Sequence, residues 1–138
     1  MKRCAFLSTD NLEGYFVYDE LLYEPLKQVG WQVEAVSWHN NTVDWNSFDV
    51  VVVRSTWDYQ QHAKAFMQCL QRIEDSSAIL ANSLRLLTWN ISKEYLKDIA
   101  SQGIGIVPTL WLDTFVLAQV SAGFERFNCD RLVIKPCV

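Results

Sequence analysis

Apolar positions in this chain fall into runs of two kinds, and their alternation predicts the order of elements. Residues 2 to 7 form a short apolar run ending in Ser8-Thr9-Asp10-Asn11, a strand followed by a turn. From about Val17 to Val29, Leu21, Leu22, Leu26 and Val29 recur at helical spacing among Glu20, Glu24 and Lys27. Pro25 predicts a kink or a fresh start within that helix, and Gly30 suits its C-terminal cap. Trp31 to Val36 alternates as a second strand. The polar, asparagine-rich stretch Trp38 to Ser47 predicts a surface loop. It leads into Phe48 to Val53, whose four consecutive valines are too few to cross a membrane and too apolar for a surface strand. They predict a central parallel strand covered on both faces.

Ala63, Phe66, Met67, Leu70 and Ile73 then mark an amphipathic helix from about Gln60 to Glu74, and Ala78 to Ala81 a short strand. Ile91, Tyr95, Leu96 and Ile99 give another helical stripe, ended by Gly103 and Gly105. With Asn90 as its N-cap, Lys93 falls in the first turn, where a cation opposes the helix dipole unless an anion is bound nearby. Val107 to Leu112 reads as a strand that Pro108 confines to an edge or a strand start, about Thr114 to Phe127 as a helix, and Leu132 to Pro136 as a final strand. Strand, helix, strand at the start of a chain is the opening of a doubly wound sheet. The fold class is therefore α/β with a parallel sheet, and a boundary near Asn82 separates residues 1–81 from a differently arranged unit, 82–138.

Composition narrows the function. The 138 residues are 50% hydrophobic and 13% aromatic, which suits a folded domain with a core. Twelve basic against sixteen acidic residues give a formal charge of −4, which argues against nucleic acid or anionic lipid as partners and favours small molecules. The opening residues turn polar at Ser8, too early for a signal peptide, so the expected location is the cytoplasm. Cys4, Cys69, Cys129 and Cys137 are scattered without metal-ligand spacing and are expected to be reduced thiols, and with only His39 and His62 a histidine-based zinc site or catalytic triad has little material.

The candidate chemistry gathers after the valine strand, in Arg54-Ser55-Thr56-Trp57-Asp58-Tyr59. Ligands of open α/β sheets sit beyond the carboxyl ends of the strands, which is where this cluster falls. Arg54 offers a planar fork for a substrate carboxylate, with Ser55, Thr56 and Asp58 orienting the remaining polar groups. The bland alternatives stand beside these readings. Arg54 can pair with Asp10 or Asp49 to hold the loop, Asp58 with Gln61 can form a capping box, and Asp10 can bond its own backbone rather than a ligand. Trp57 and Tyr59 wall the pocket or join the core. A phospho-accepting receiver domain fits less well, because the place of its aspartate at the end of the central strand holds Arg54.

No Walker A motif, GxGxxG, HExxH or GxSxG occurs. The ordered stretches VDWNSFDVVVVRSTWDY, NSLRLLTWNISKEYLKDIASQGIGIVPT and RLVIKP resemble the first part of an ATP-grasp ligase, of the branch that includes glutathione-synthetase-like enzymes and the cyclo-ligase of cycloserine biosynthesis. The resemblance implies a Rossmann-like domain over residues 1–81 that precedes the ATP-grasp unit, followed by only the opening of the ATP-binding lobe. It also implies ATP and magnesium as cofactors of the complete enzyme, a carboxylate substrate activated as an acyl-phosphate, and attack by an amine or similar nucleophile. Lys93 and Lys135 match the family's two phosphate-contacting lysines, as fixed cations suited to a triphosphate; from its position alone, Lys135 reads rather as a solvated lysine that ends an edge strand, and it is the resemblance that turns it toward the nucleotide. The family's glycine-rich loop and its magnesium ligands have no counterpart among these residues. The chain alone is therefore expected to bind neither cofactor tightly and to be inactive, the alternative being a small-molecule binding or interaction module for an amino-acid-like carboxylate. Strands 107–112 and 132–136 without neighbours predict pairing between chains, hence a homodimer.

Overall fold

A computed structural model describes residues 1–138, which divide into two compact units, Met1–Ile91 and Ser92–Val138. The first unit is built on four strands, β1 (Lys2–Ser8), β2 (Trp31–Ser37), β3 (Val50–Ser55) and β4 (Ile79–Ala81). All pair in parallel, in the order β2-β1-β3-β4. This is the α/β, Rossmann-like arrangement the strand and helix alternation predicts. Helix α1 (Tyr23–Gln28) returns the chain from β1 to β2, and α2 (Ala63–Glu74) carries it from β3 to β4.

The two helices lie on opposite faces of the sheet. Ala5 and Leu7 of β1 and Val51 of β3 join Phe66, Cys69, Leu70 and Ile73 of α2 in the buried core. Phe6, between them, points the other way and meets Tyr23 of α1, ring centroids 6.0 Å apart. Successive strand residues face opposite sides, so β1 has a buried face toward each helix. Strand order reverses between β1 and β3, and their following helices diverge to the two faces. That makes the gap between these two carboxyl ends the topological switch point at which such sheets hold ligands.

Several expected elements take a modified form. The first helix opens as a 3-10 turn, Asp19–Leu22, before α1 begins two residues ahead of Pro25, and Gly30 follows it at φ 89°. That left-handed conformation suits a residue without Cβ. The second helix likewise has a 3-10 entry, Trp57–Gln61, before α2. Where one helix is predicted after Asn82 there are two, α3 (Leu84–Asn90) and α4 (Tyr95–Ser101). Leu84, Leu87 and Ile91 supply their own i, i+3, i+7 stripe against the first unit's core, so this compact unit extends to Ile91.

In the second unit, α5 (Leu117–Phe127) forms as expected, but 107–112 and 130–138 form no strands. They carry no ladder, because Pro108 and Pro136 lack a donor and no neighbouring strand completes the pairing. Leu110 and Leu112 lie instead beside Ala122 and Gly123 of α5. Gly123 is buried there, where an added Cβ would approach Leu132 Cδ1 to 3.2 Å. All four cysteines are free, and burial pushes the thiols of Cys4 and Cys69 up, away from reactive thiolate. No helix is long and apolar enough to cross a membrane.

Candidate functional site

Both sides of the switch point are lined by short polar side chains. The register between β1 and β3 shifts here: Leu7 pairs with Val53, but Ser8 pairs with Ser55, which leaves Arg54 as an extra residue. A bulge of this kind re-aims side chains at a strand end. Without it Arg54 and Ser55 would point to opposite faces; with it both reach one carboxylate. Arg54 donates through Nε (2.8 Å) and Nη2 (2.5 Å) to Asp19 Oδ1, and Ser55 Oγ donates to Asp19 Oδ2 at 2.7 Å. Asp19 and Ser55 are both buried, whereas Arg54 remains partly open and passes 5.6 Å over the Phe6 ring. Its Nη1 takes no protein acceptor. Arg54 is thus paired, though with Asp19 and not with Asp10 or Asp49, and one edge of its fork still faces outward.

A second carboxylate organises the other face. Asp58 accepts from Trp38 Nε1 at 2.8 Å through Oδ1 and meets His39 Nε2 at 2.5 Å through Oδ2. Asp58 therefore does not cap α2, whose N-cap is His62 with no side-chain bond. Burial pushes the Asp58 carboxyl up, but hydrogen bonds from His39, Thr9 and Trp38 outweigh it and hold the group below the usual carboxylate range. The Trp38 indole stacks on the His39 ring at 3.6 Å and packs edge-on against Phe66 of α2. Ser37 Oγ donates to Asp10 and accepts from the His39 backbone N–H, so the ends of β1 and β2 are tied as well. Thr56 is buried between the two carboxylate networks in sequence, and Thr9 N–H bonds Ser55 C=O at 2.8 Å. The two predicted wall aromatics separate: Trp57 is 42% exposed and stacks on Tyr15, whereas Tyr59 packs on Phe66 in the core.

The structure thus brings Asp10, Arg54, Ser55, Thr56 and Asp58 to one rim. Sequence reasoning missed Asp19, Trp38 and His39. Trp38 and His39 follow directly on the alternating run of β2, so the rule that sites lie at carboxyl ends was the signal available for them. Asp19 stands in the acidic first turn of a helix, a place usually explained by the dipole alone.

Lys93 and Lys135 lie in the second unit. Lys93 is not in the first turn of a helix capped by Asn90: Asn90 is the last residue of α3, α4 starts at Tyr95 with Glu94 at its N-cap, and Lys93 sits in the link between them. Its backbone N–H donates to Cys137 C=O at 2.7 Å, which ties it to the segment carrying Lys135. No group of three or more His, Cys, Asp or Glu side chains is placed to hold a metal ion. An open depression of about 440 Å³ is lined by the first residues of all four strands, Lys2, Trp31, Val50 and Ile79, at the end of the sheet opposite the rim.

Residues 4–82 match the family described as D-cycloserine synthetase DcsG, N-terminal domain. The chain is 32% identical over 104 residues to the cycloserine biosynthesis protein DcsG of Streptomyces lavendulae, covering 75% of this chain and 34% of that protein. It also resembles the crystal structure of D-cycloserine synthetase DcsG with a TM-score of 0.73 at 27% identity, over 91% of this chain and 43% of the other. It therefore spans about a third of the length of the curated relative it matches. The matched segment contains β1 from Cys4 onward, all of β2 to β4 and both carboxylate networks, and on that ground the chain belongs to the family of DcsG-type N-terminal domains.

Proposed function

We propose that this chain supplies the substrate-side domain and the opening of the nucleotide-binding lobe of an ATP-grasp ligase. In such an enzyme a carboxylate is activated as an acyl-phosphate and captured by an amine or, in a ring-closing reaction, by a nucleophile of the same molecule. The family match over residues 4–82, which carries the whole rim, is the observation that supports this reading. The free edge of Arg54 receives the substrate carboxylate, and Asp19 and Ser55 hold the guanidinium at a fixed angle. Thr56, Asp58 and Asp10 shape the remainder of the site. Lys93 and Lys135 bind nucleotide phosphates, a role supported by the backbone bond that joins their two segments. Magnesium-ATP, when bound, supplies the phosphoryl group; these 138 residues contain neither the family's glycine-rich loop nor its magnesium ligands and do not turn over alone. Four free thiols accord with a cytoplasmic setting.

The test is nucleotide-dependent ADP release from this chain and from the same chain joined to the remaining lobes of the solved relative. Release only from the longer protein supports the proposal, and equal release from both overturns it. The compact unit Met1–Ile91, with its own core, also favours a second reading, a carboxylate-binding module. Binding of an amino acid that is lost in Arg54→Ala and indifferent to ATP would select that reading.

A further inference from the structure

His39 lies at the rim beside the two filled carboxylates, and neither the family match nor the sequence motifs assign it a role. Both oxygens of Asp19 and both oxygens of Asp58 are engaged by protein donors. Asp58, an ionised carboxylate, can only accept, so the 2.5 Å contact places a proton on His39 Nε2. In the neutral ring the lone pair then lies on Nδ1. That atom has no protein partner, and no half-buried side-chain nitrogen or oxygen is left both enclosed and unpartnered, so Nδ1 is open to solvent or to a ligand. The ring cannot swing away easily. The Trp38 indole stacks on it, and Trp38 is itself held by its own bond to Asp58. The other titratable groups around it are Asp10, joined through Ser37, and His62, ring centroids 6.0 Å apart.

We propose that His39 is a ligand-binding residue of this rim that accepts a hydrogen bond at Nδ1 from an N–H or O–H of the substrate, with Asp58 and Trp38 as its positioning residues. The inference rests on the reading of the rim as the substrate side of a ligase, and it gives that substrate a donor group opposite the acceptor that Arg54 takes. A small amino-acid-like molecule carries both.

The experiment uses the 138-residue chain with ¹⁵N-labelled histidine. In the free protein, under conditions where the spectrum reports a neutral ring, the long-range ¹H–¹⁵N correlations should show His39 protonated at Nε2 and bare at Nδ1. Protonation at Nδ1 overturns the proposal without any ligand. Asp58→Asn keeps a carbonyl for Trp38 but turns an amide N–H toward Nε2, so the His39 proton should move to Nδ1, a change that a purely structural role for Asp58 does not require. Free serine, which carries a carboxylate for Arg54 together with N–H and O–H donors for His39, is then titrated as the probe. The expected results are a shift of the His39 Nδ1 resonance on saturation and binding weakened about fivefold to tenfold by His39→Phe, which keeps the stacked ring, and by Asp58→Asn. Binding that is undiminished in His39→Phe, or that leaves the Nδ1 resonance unmoved, overturns the role of His39 alone. Absence of saturable binding to the unaltered chain overturns the substrate-side reading itself, and with it the ligand that His39 is said to hold.

Discussion

Removing Asp19 should be felt more strongly than any other change at the rim. Its side chain is only 10% exposed and is the sole acceptor for Nε and Nη2 of Arg54 and for the hydroxyl of Ser55. Asp19→Ala strands all three donors. An exposed ion pair contributes about 0–1 kcal/mol, whereas losing one partner of a fully buried pair costs about 3–5 kcal/mol. The Arg54 side chain is 38% exposed, so water resolvates part of it, and the expected share of this pair is about 1–2 kcal/mol. The Ser55 hydroxyl, buried and left without an acceptor, adds about 1–2 kcal/mol. The total, about 2–4 kcal/mol, is a large part of a small domain's stability of roughly 5–15 kcal/mol. Urea unfolding followed by far-ultraviolet circular dichroism should show the midpoint lowered by about 2 M at a typical slope of about 1–2 kcal/mol per M, with the slope unchanged. Combining Asp19→Ala with Arg54→Ala should cost less than the sum of the two, by about 1–2 kcal/mol, because the double variant holds no stranded charge. A midpoint within about 0.3 M of the unaltered chain, together with strict additivity, would show that the pair is a surface contact and that the bulge aims Arg54 at nothing the fold depends on.

The remaining expectations concern other parts of the chain. Because the folded Asp58 carboxyl lies below its usual range, its contribution is complete above the unfolded carboxylate value of about 3.9 and is lost as pH falls through the lower folded value. Thermal melts should therefore place Asp58→Asn below the unaltered chain at neutral pH, with the gap closing below about pH 4; a gap constant down to about pH 2 contradicts this. Leu70 is fully buried on α2, so Leu70→Ala should cost about 2–5 kcal/mol in the same urea experiment, and a cost under about 1 kcal/mol would mean that this core collapses around the gap. The expected strand edges do not form, but Val107 and Val133, each 80% exposed, and Ile134 at 64% still present apolar side chains, and we propose a homodimer that covers them. Sedimentation velocity over a range of concentrations should show self-association that Val133→Lys weakens, and a monomer throughout is the contrary result.

The parts of the fold that were legible in the sequence are those whose period is enforced by burial on one or both faces. The Lys2–Leu7 run, the alternation at Trp31–Val36, the four valines and the stripe Phe66, Leu70, Ile73 all face packed neighbours and appear as β1, β2, β3 and α2. Val107–Leu112 and Leu132–Pro136 carry equally strand-like residues and form no strand, since a ladder needs a neighbour that local sequence cannot supply. Lys93 was misplaced for a related reason: Leu84, Leu87 and Ile91 end one stripe just where Tyr95 and Ile99 begin another, and a single helix fits both until packing separates them. At the rim the residue types were readable and their partners were not. Nothing in the local sequence of Arg54 and Ser55 announces a one-residue register shift, yet that shift sends both to Asp19, 35 and 36 residues away along the chain.

That register shift also bears on how the rim selects a ligand. The arginine sits on the α1 face and the imidazole on the α2 face, at the carboxyl ends of β3 and β2, the strands on either side of β1, and each is held by its own buried or half-buried carboxylate. Both of these carboxylates are filled by protein donors, so neither is open to a free cation, whereas Asp10 keeps one oxygen beyond the bond it accepts from Ser37. Besides that oxygen, the rim turns outward one guanidinium edge and one imidazole lone pair, a donor and an acceptor on the α1 and α2 faces of the sheet. A molecule with a carboxylate alone satisfies the first and leaves the second to water, as does a simple amine in the reverse sense. Discrimination against such half-matched molecules then comes from the unpaired group each leaves behind, which is the stronger form of polar selectivity. Affinity for an amino acid that offers both a carboxylate and a donor should accordingly fall less in the Arg54→Ala, His39→Phe double variant than the two single losses sum to, the signature of two contacts that bind one small ligand together.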